Sequence, residues 1–146
     1  MTPGILAILD DQTIGSVVCA LRVAQWGVQL PDWNRDFSAT TPHAVPFAIG
    51  LARKEIADTV ADDGSVSEIE RKVDAIVEAI GLTGIGQRIN ALDYAELNHG
   101  GDATLRDDIA RQLQRAIRQL LDAASTRYRT AVVSRWQTSA HARPST

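Results

Sequence analysis

Two sets of carboxylates recur at the spacing of a helix face: Glu55, Asp58 and Asp62 at i, i+3, i+7, and Glu70, Asp74 and Glu78 at i, i+4, i+8. On antiparallel neighbouring helices two such faces can share a hard cation such as Mg²⁺, which takes oxygen ligands. Glu68, Arg71 and Lys72 beside the second set also supply ordinary ion pairing, so a solvated face explains the same pattern. Glu96 and His99 have the i, i+3 spacing of a di-iron ligand pair, but a four-helix site needs two such pairs and the chain has one. His99 before Gly100 suits the negative end of a helix. His43 and His141 stand without a nucleophile in view. The single cysteine, Cys19, cannot close an internal disulfide, and its place in the apolar run from Val17 to Leu21 predicts a small buried thiol. With no P-loop, nucleophile elbow or zinc spacing, the sequence assigns no catalytic residue, no cofactor and no metal ligand.

The glycine-rich stretch Ile80-Gly81-Leu82-Thr83-Gly84-Ile85-Gly86 lies between two helical patterns. Glycines let another group approach the backbone closely, and a helix N-terminus attracts anions. Leu82, Gly84, Ile85, Gly86 and the later apolar Leu92 resemble the helix-hairpin-helix element of DNA-repair and replication proteins, over residues 76–92. Asn90 stands where that element has a small residue. The resemblance implies a turn whose backbone N–H groups receive a DNA phosphate without reading bases. Gly84, Gly86 and Arg88 are its contact residues here. Asp74, Glu78, Asp93 and Glu96 surround the turn, and Arg88 is the main nearby cation.

The elements that must position these residues are helical. The clearest is residues 104–136, which contain neither Gly nor Pro and carry Leu105, Ile109, Leu113, Ile117, Leu120, Leu121, Ala124, Tyr128, Val132 and Trp136 in steps of mostly four. A single helix over that range is about 50 Å long, which exceeds what a domain of this size needs for its own core. Part of the stripe, ending in Tyr128, Val132 and Trp136, is therefore expected to meet a partner. Thr104 is a candidate cap, with Asp107 three residues on and four residues before Arg111. Arg111, Arg115 and Arg118 share the opposite face at i, i+4, i+7. That face reads either as a solvated surface or as a basic contact for an acidic partner such as nucleic acid.

Upstream, Thr2-Pro3 predicts a short opening helix through Leu9 that falters at Asp10 and Asp11, and a second helix spans about 13–26. The β-branched Val17, Val18 and Val23 keep a strand reading open for that second element. Helical periodicity is lost over residues 27–45. An extended arm is expected there, packing on the body or on a neighbour through Trp26, Trp33 and Phe37. Pro46 opens a third helix with Ile49, Ala52, Ile56 and Val60 inward. Ser65 with Glu68, or Ser67 with Glu70, caps a fourth that buries Ile69, Val73, Ile76, Val77 and Ile80 and ends at Gly81. A fifth runs about 85–98 with Ile85, Ile89 and Leu92 inward.

A chain of 146 residues suits one domain, and 45% hydrophobic with 5% aromatic residues predicts an aliphatic interior. The opening Met1-Thr2-Pro3-Gly4 lacks the basic start of a signal peptide, and no apolar run reaches a membrane span, so a cytoplasmic or virion setting is expected. Residues 1–103 hold 15 acidic and 7 basic side chains, a balance of −8, while residues 104–146 hold 3 and 8, a balance of +5. Opposite ends of opposite sign permit head-to-tail packing of like subunits, or a basic appendage that seeks an acidic surface.

Together these features predict an all-α single domain over 1–137, of five or six helices with a long C-terminal amphipathic helix at 104–136, an extended aromatic arm at 27–45, and a tail at 138–146. The leading expectation is a non-enzymatic assembly or adaptor subunit, with a protein partner or a homo-oligomer and no membrane. A sequence-independent nucleic-acid binder comes next, and then a Mg²⁺-dependent hydrolase akin to the all-α nucleotide pyrophosphohydrolases.

Overall fold

The computed structural model describes residues 4–29, 44–61 and 64–124. The fold is all-α: among the described residues there are five α-helices, a 3-10 turn at Gly4–Ile8, and no strand. The helices are α1 (Asp11–Val28), α2 (Ala44–Val60), α3 (Val66–Ala79), α4 (Ile85–His99) and α5 (Ala103–Ala123). The strand reading of residues 13–26 is thereby overturned. Val17 and Val18 fill a helix face whose burial outweighs their β preference.

Caps explain most of the boundaries. Asp10, where the sequence pattern falters, is the N-cap of α1, and its carboxylate accepts the Thr13 N–H at 2.7 Å. Ser65 caps α3 by accepting the Glu68 N–H at 3.2 Å, which selects the first of the two capping alternatives. After Ile80, Gly81 adopts φ +81°, and the Leu82 and Gly81 N–H groups close on the Val77 and Glu78 carbonyls at 2.9 and 3.0 Å. This six-to-one and five-to-two pairing satisfies carbonyls that the end of α3 would otherwise leave open.

Three boundaries depart from expectation. α5 is capped by Asp102, which accepts the Leu105 N–H at 2.9 Å, and not by Thr104. Its helix stops at Ala123: Ala124 takes φ −72° and ψ 158°, so the uninterrupted helix to Trp136 is overturned. Tyr128, Val132 and Trp136 lie outside the described residues. The expected arm at 27–45 loses both its ends, because Gly27 and Val28 are the buried end of α1 and Ala44 already belongs to α2, and residues 30–43 lie outside the described residues. A Cβ on Gly27 would lie 2.8 Å from Val45 Cγ2. Here glycine serves close helix approach, not termination. Trp33 and Phe37 lie outside the described residues, as does the tail 138–146.

α1 packs most extensively on α2 and next on α5, and α3 packs on α2. The Thr13 and Thr59 hydroxyls meet at 2.7 Å while Gly27 abuts Val45, so α1 and α2 run antiparallel. The core joins Leu6, Leu21, Ile56, Ile76, Leu92, Ile109, Leu113 and Ile117, and no aromatic side chain is buried among the described residues. That is the aliphatic interior the composition predicts. No described helix is long and apolar enough to cross a membrane.

Candidate functional site

Apolar surface concentrates on the outer side of the α1/α2 pair. On α1 the buried positions Ile14, Val17, Val18, Leu21 and Ala24 face inward, which turns Cys19, Val23 and Trp26 outward at i, i+4, i+7. Cys19 is exposed. The expectation of a buried thiol fails because Cys19 sits one helical step past Val18, off the core face. On α2 the inward stripe Val45, Ala48, Ala52, Ile56 and Val60 leaves Phe47 and Leu51 outside. Exposure is 50% for Val23, 51% for Trp26, 58% for Phe47 and 40% for Leu51, so these are large apolar groups held in water. The antiparallel register fixed by Thr13–Thr59 and Gly27–Val45 sets Val23 opposite Ile49 and Trp26 opposite Pro46, which leaves Leu51 and Phe47 within about half a helical turn of Val23 and Trp26 along the pair. Val23 and Leu51 lie beside the seam, with Trp26 and Phe47 one step outward on either side.

The glycine turn is held from behind. Gln112 of α5, only 7% exposed, donates from Nε2 to the Gly81 carbonyl at 2.8 Å and the Thr83 carbonyl at 3.4 Å, and its Oε1 accepts from Arg88 Nη1 at 2.9 Å. Arg88 also reaches Asp108 at 3.7 Å. The guanidinium expected at a phosphate is thus engaged with α5. Gly84, at φ +79°, caps α4 without a side chain, and Gly84 and Gly86 border a cleft of about 460 Å³ whose rim includes Asp74 and Glu78. An anion approaching the start of α4 meets those two carboxylates and Arg53, which is bonded to Asp74 at 2.6 Å.

The arginine face of α5 is exposed at Arg111, Arg115 and Arg118. Arg111 pairs with Asp108 at 2.6 Å, three residues earlier, in place of the expected Asp107. Arg115 and Arg118 have no ion-pair partner among the described residues.

The carboxylate sets do not converge on an ion. Asp58 pairs with Lys54 at 2.9 Å, an interaction that raises the Lys54 pKa, and Asp62 lies outside the described residues. No group of three His, Cys, Asp or Glu side chains among the described residues could hold a metal. Glu96, with 7% of its side chain exposed, is ion-paired with Arg106, and His99 instead lies 5.4 Å from the Tyr94 ring.

Sequence reasoning missed Gln112, Val23, Phe47 and Leu51. Gln112 falls three residues after Ile109 and one before Leu113, so it lies on the buried face of α5. A polar side chain at that register is the signal of an internal hydrogen-bond role. Phe47 and Leu51 are four apart and off the stripe of Ile49, Ala52 and Ile56, which marks an apolar pair pointing away from the core. No protein-family model matches the chain, and no curated protein or solved structure matches it either.

Proposed function

We propose that this chain is a non-enzymatic docking subunit of a larger assembly, and that its α1/α2 outer face meets a protein partner. The observation that carries this reading is an inversion of aromatic placement: Trp26, Phe47 and Tyr94, the three aromatics among the described residues, are each more than half exposed, while the core is wholly aliphatic. Aromatic side chains concentrate binding energy at interface centres, and grouped exposed apolar residues mark interaction sites. Trp26 and Phe47 flank Val23 and Leu51 on one face, which gives that site its centre. The partner is a second copy or an unlike protein of a cytoplasmic or virion assembly; Trp33, Phe37, Tyr128, Val132 and Trp136 are further expected contacts.

Size-exclusion chromatography with light scattering tests self-association, which predicts a mass above that of one chain for the wild type and of one chain for Trp26→Ala combined with Phe47→Ala. For an unlike partner, the same double variant used as bait loses a protein that the wild type retains. A wild type that stays monomeric, together with capture indifferent to the double variant, contradicts the proposal.

A second reading is favoured by the unpaired Arg115 and Arg118 on the exposed face of α5: a weak, salt-sensitive contact to nucleic-acid phosphates. Arg111→Glu with Arg115→Glu then abolishes a mobility shift seen at low salt. An unchanged shift removes this reading, and with it the arginine face as the contact.

A further inference from the structure

The size, spacing and charge of the α1/α2 face say what covers it. At 51% and 58% exposed, the Trp26 and Phe47 rings leave about 200 Å² of aromatic surface in water, and Val23 and Leu51 bring the apolar total to roughly 350 Å². Interfaces are about 60% apolar, so a patch of that area is the centre of a contact of roughly 600 Å² on each side. Two such sides bury about 1,200 Å², the least that a specific, stable pair needs. On α1 the outer positions Gln12, Ser16, Cys19, Val23 and Trp26 follow one another in steps of four and three, which is the seam spacing of two packed helices. None of the five is charged, and Arg22 turns aside toward α5, where it reaches Gln114 at 3.3 Å. Charge begins past Leu51, where Lys54 is held by Asp58 at 2.9 Å beside half-buried Glu55. A face of one sign repels its own copy, and this centre has no sign.

Taking the α1/α2 face as the docking site, we propose that its occupant is a second copy of this chain, with α1 crossing α1 antiparallel about a two-fold axis. Side-chain size grades along the seam, from Ser16 and Cys19 at one end to Val23 and Trp26 at the other. An antiparallel two-fold sets large against small: with the axis between Arg22 and Val23, Trp26 of each copy lies over Cys19 of the other. The register of α1 on α2 places the same axis between Ile49 and Gly50, which sets Phe47 between Leu51 and Lys54 of the other copy. A parallel pair would stack Trp26 on Trp26 and leave Ser16 and Cys19 facing a gap. In the antiparallel pair the two Cys19 thiols lie about 10 Å apart along the helices.

Cys19 is the chain's single cysteine, so a short bis-maleimide joins two copies only through it. A contact of this size has a dissociation constant on the order of 10 μM. Well above that concentration the wild type is expected to show the mass of two chains by light scattering and to form the crosslinked pair, and roughly hundredfold dilution removes both. Trp26→Ala with Phe47→Ala returns the mass to that of one chain, as does Cys19→Arg, which sets two like charges beside the axis. All three positions are exposed, so an unchanged thermal midpoint shows that the variants remain folded. A wild type with the mass of one chain at that concentration overturns the proposal, and the docking role outlives it where capture of an unlike protein still depends on Trp26 and Phe47. Two-chain mass without the crosslink, or with a crosslink that the double variant retains, overturns it too by placing the contact on another face.

Discussion

The α4/α5 side of the molecule and the outer face of α1/α2 invert the usual arrangement in opposite ways. Between α4 and α5 the structure buries polar groups: the Gln112 amide holds two turn carbonyls and Arg88, and the Glu96 carboxylate meets Arg106. On α1/α2 it exposes apolar ones, Val23, Trp26, Phe47 and Leu51. Buried polar groups are tolerated where each finds a partner, and they fix one arrangement of neighbouring elements. Exposed apolar groups fix nothing within the fold. The first region should therefore respond to substitution through stability, and the second through association.

The largest expected loss of stability is at Arg106. With 7% of the Glu96 side chain and 20% of the Arg106 side chain exposed, Arg106→Leu strands a buried carboxylate and costs about 3 kcal/mol in denaturant unfolding. Adding Glu96→Leu returns most of that loss, because the cost lies in the unpaired charge. A single variant as stable as the wild type would show that this pair does not join α4 to α5.

Gln112→Ala comes next. It leaves the Gly81 and Thr83 carbonyls without their side-chain donor and Arg88 without its amide acceptor, with only the 3.7 Å pair to Asp108 left, at a cost of about 2 kcal/mol by the same measurement. Amide exchange around Gly81 to Arg88 should rise more than exchange in α1. Uniform change across both regions would erase the distinction between a clasped turn and the rest of the fold.

The sequence shows unevenly in the structure, for physical reasons. Helices with a clear inward stripe were legible, as in α3, where Val73, Ile76 and Ile80 are buried and Ser65 with Glu68 marks the start. Alanine is the strongest helix former, so nothing at Ala123 or Ala124 marks an end and the periodicity runs past Ala124, where α5 in fact stops. Helical periodicity is lost from Gly27 because glycine adds no side chain to the pattern, yet that missing side chain is what admits Val45 against the last turn of α1. The candidate docking face was legible only at Trp26. Phe47, Leu51 and Val23 acquire meaning when α1 and α2 are set side by side, and a one-dimensional pattern does not contain that register.

The smallest effect is at the start of α1 and depends on pH. The hydrogen bond from the Thr13 backbone to Asp10 holds this carboxyl below the usual carboxylate range. Its contribution to stability is present above the unfolded-state value and is lost as pH falls through the lowered folded-state value. The thermal midpoint of Asp10→Ala should lie below that of the wild type near neutrality and converge with it in acid. A difference that persists in acid would place the role of Asp10 elsewhere than in its charge.

The central claim, that the exposed α1/α2 face serves association and not the fold, is tested most directly by Trp26→Ala combined with Phe47→Ala. The measurement pairs the dissociation constant of the assembly with the thermal midpoint of the isolated chain. With both rings more than half exposed, the account predicts association weakened at least about tenfold and a midpoint within about two degrees of wild type. Intact association with a midpoint lowered by many degrees would contradict it.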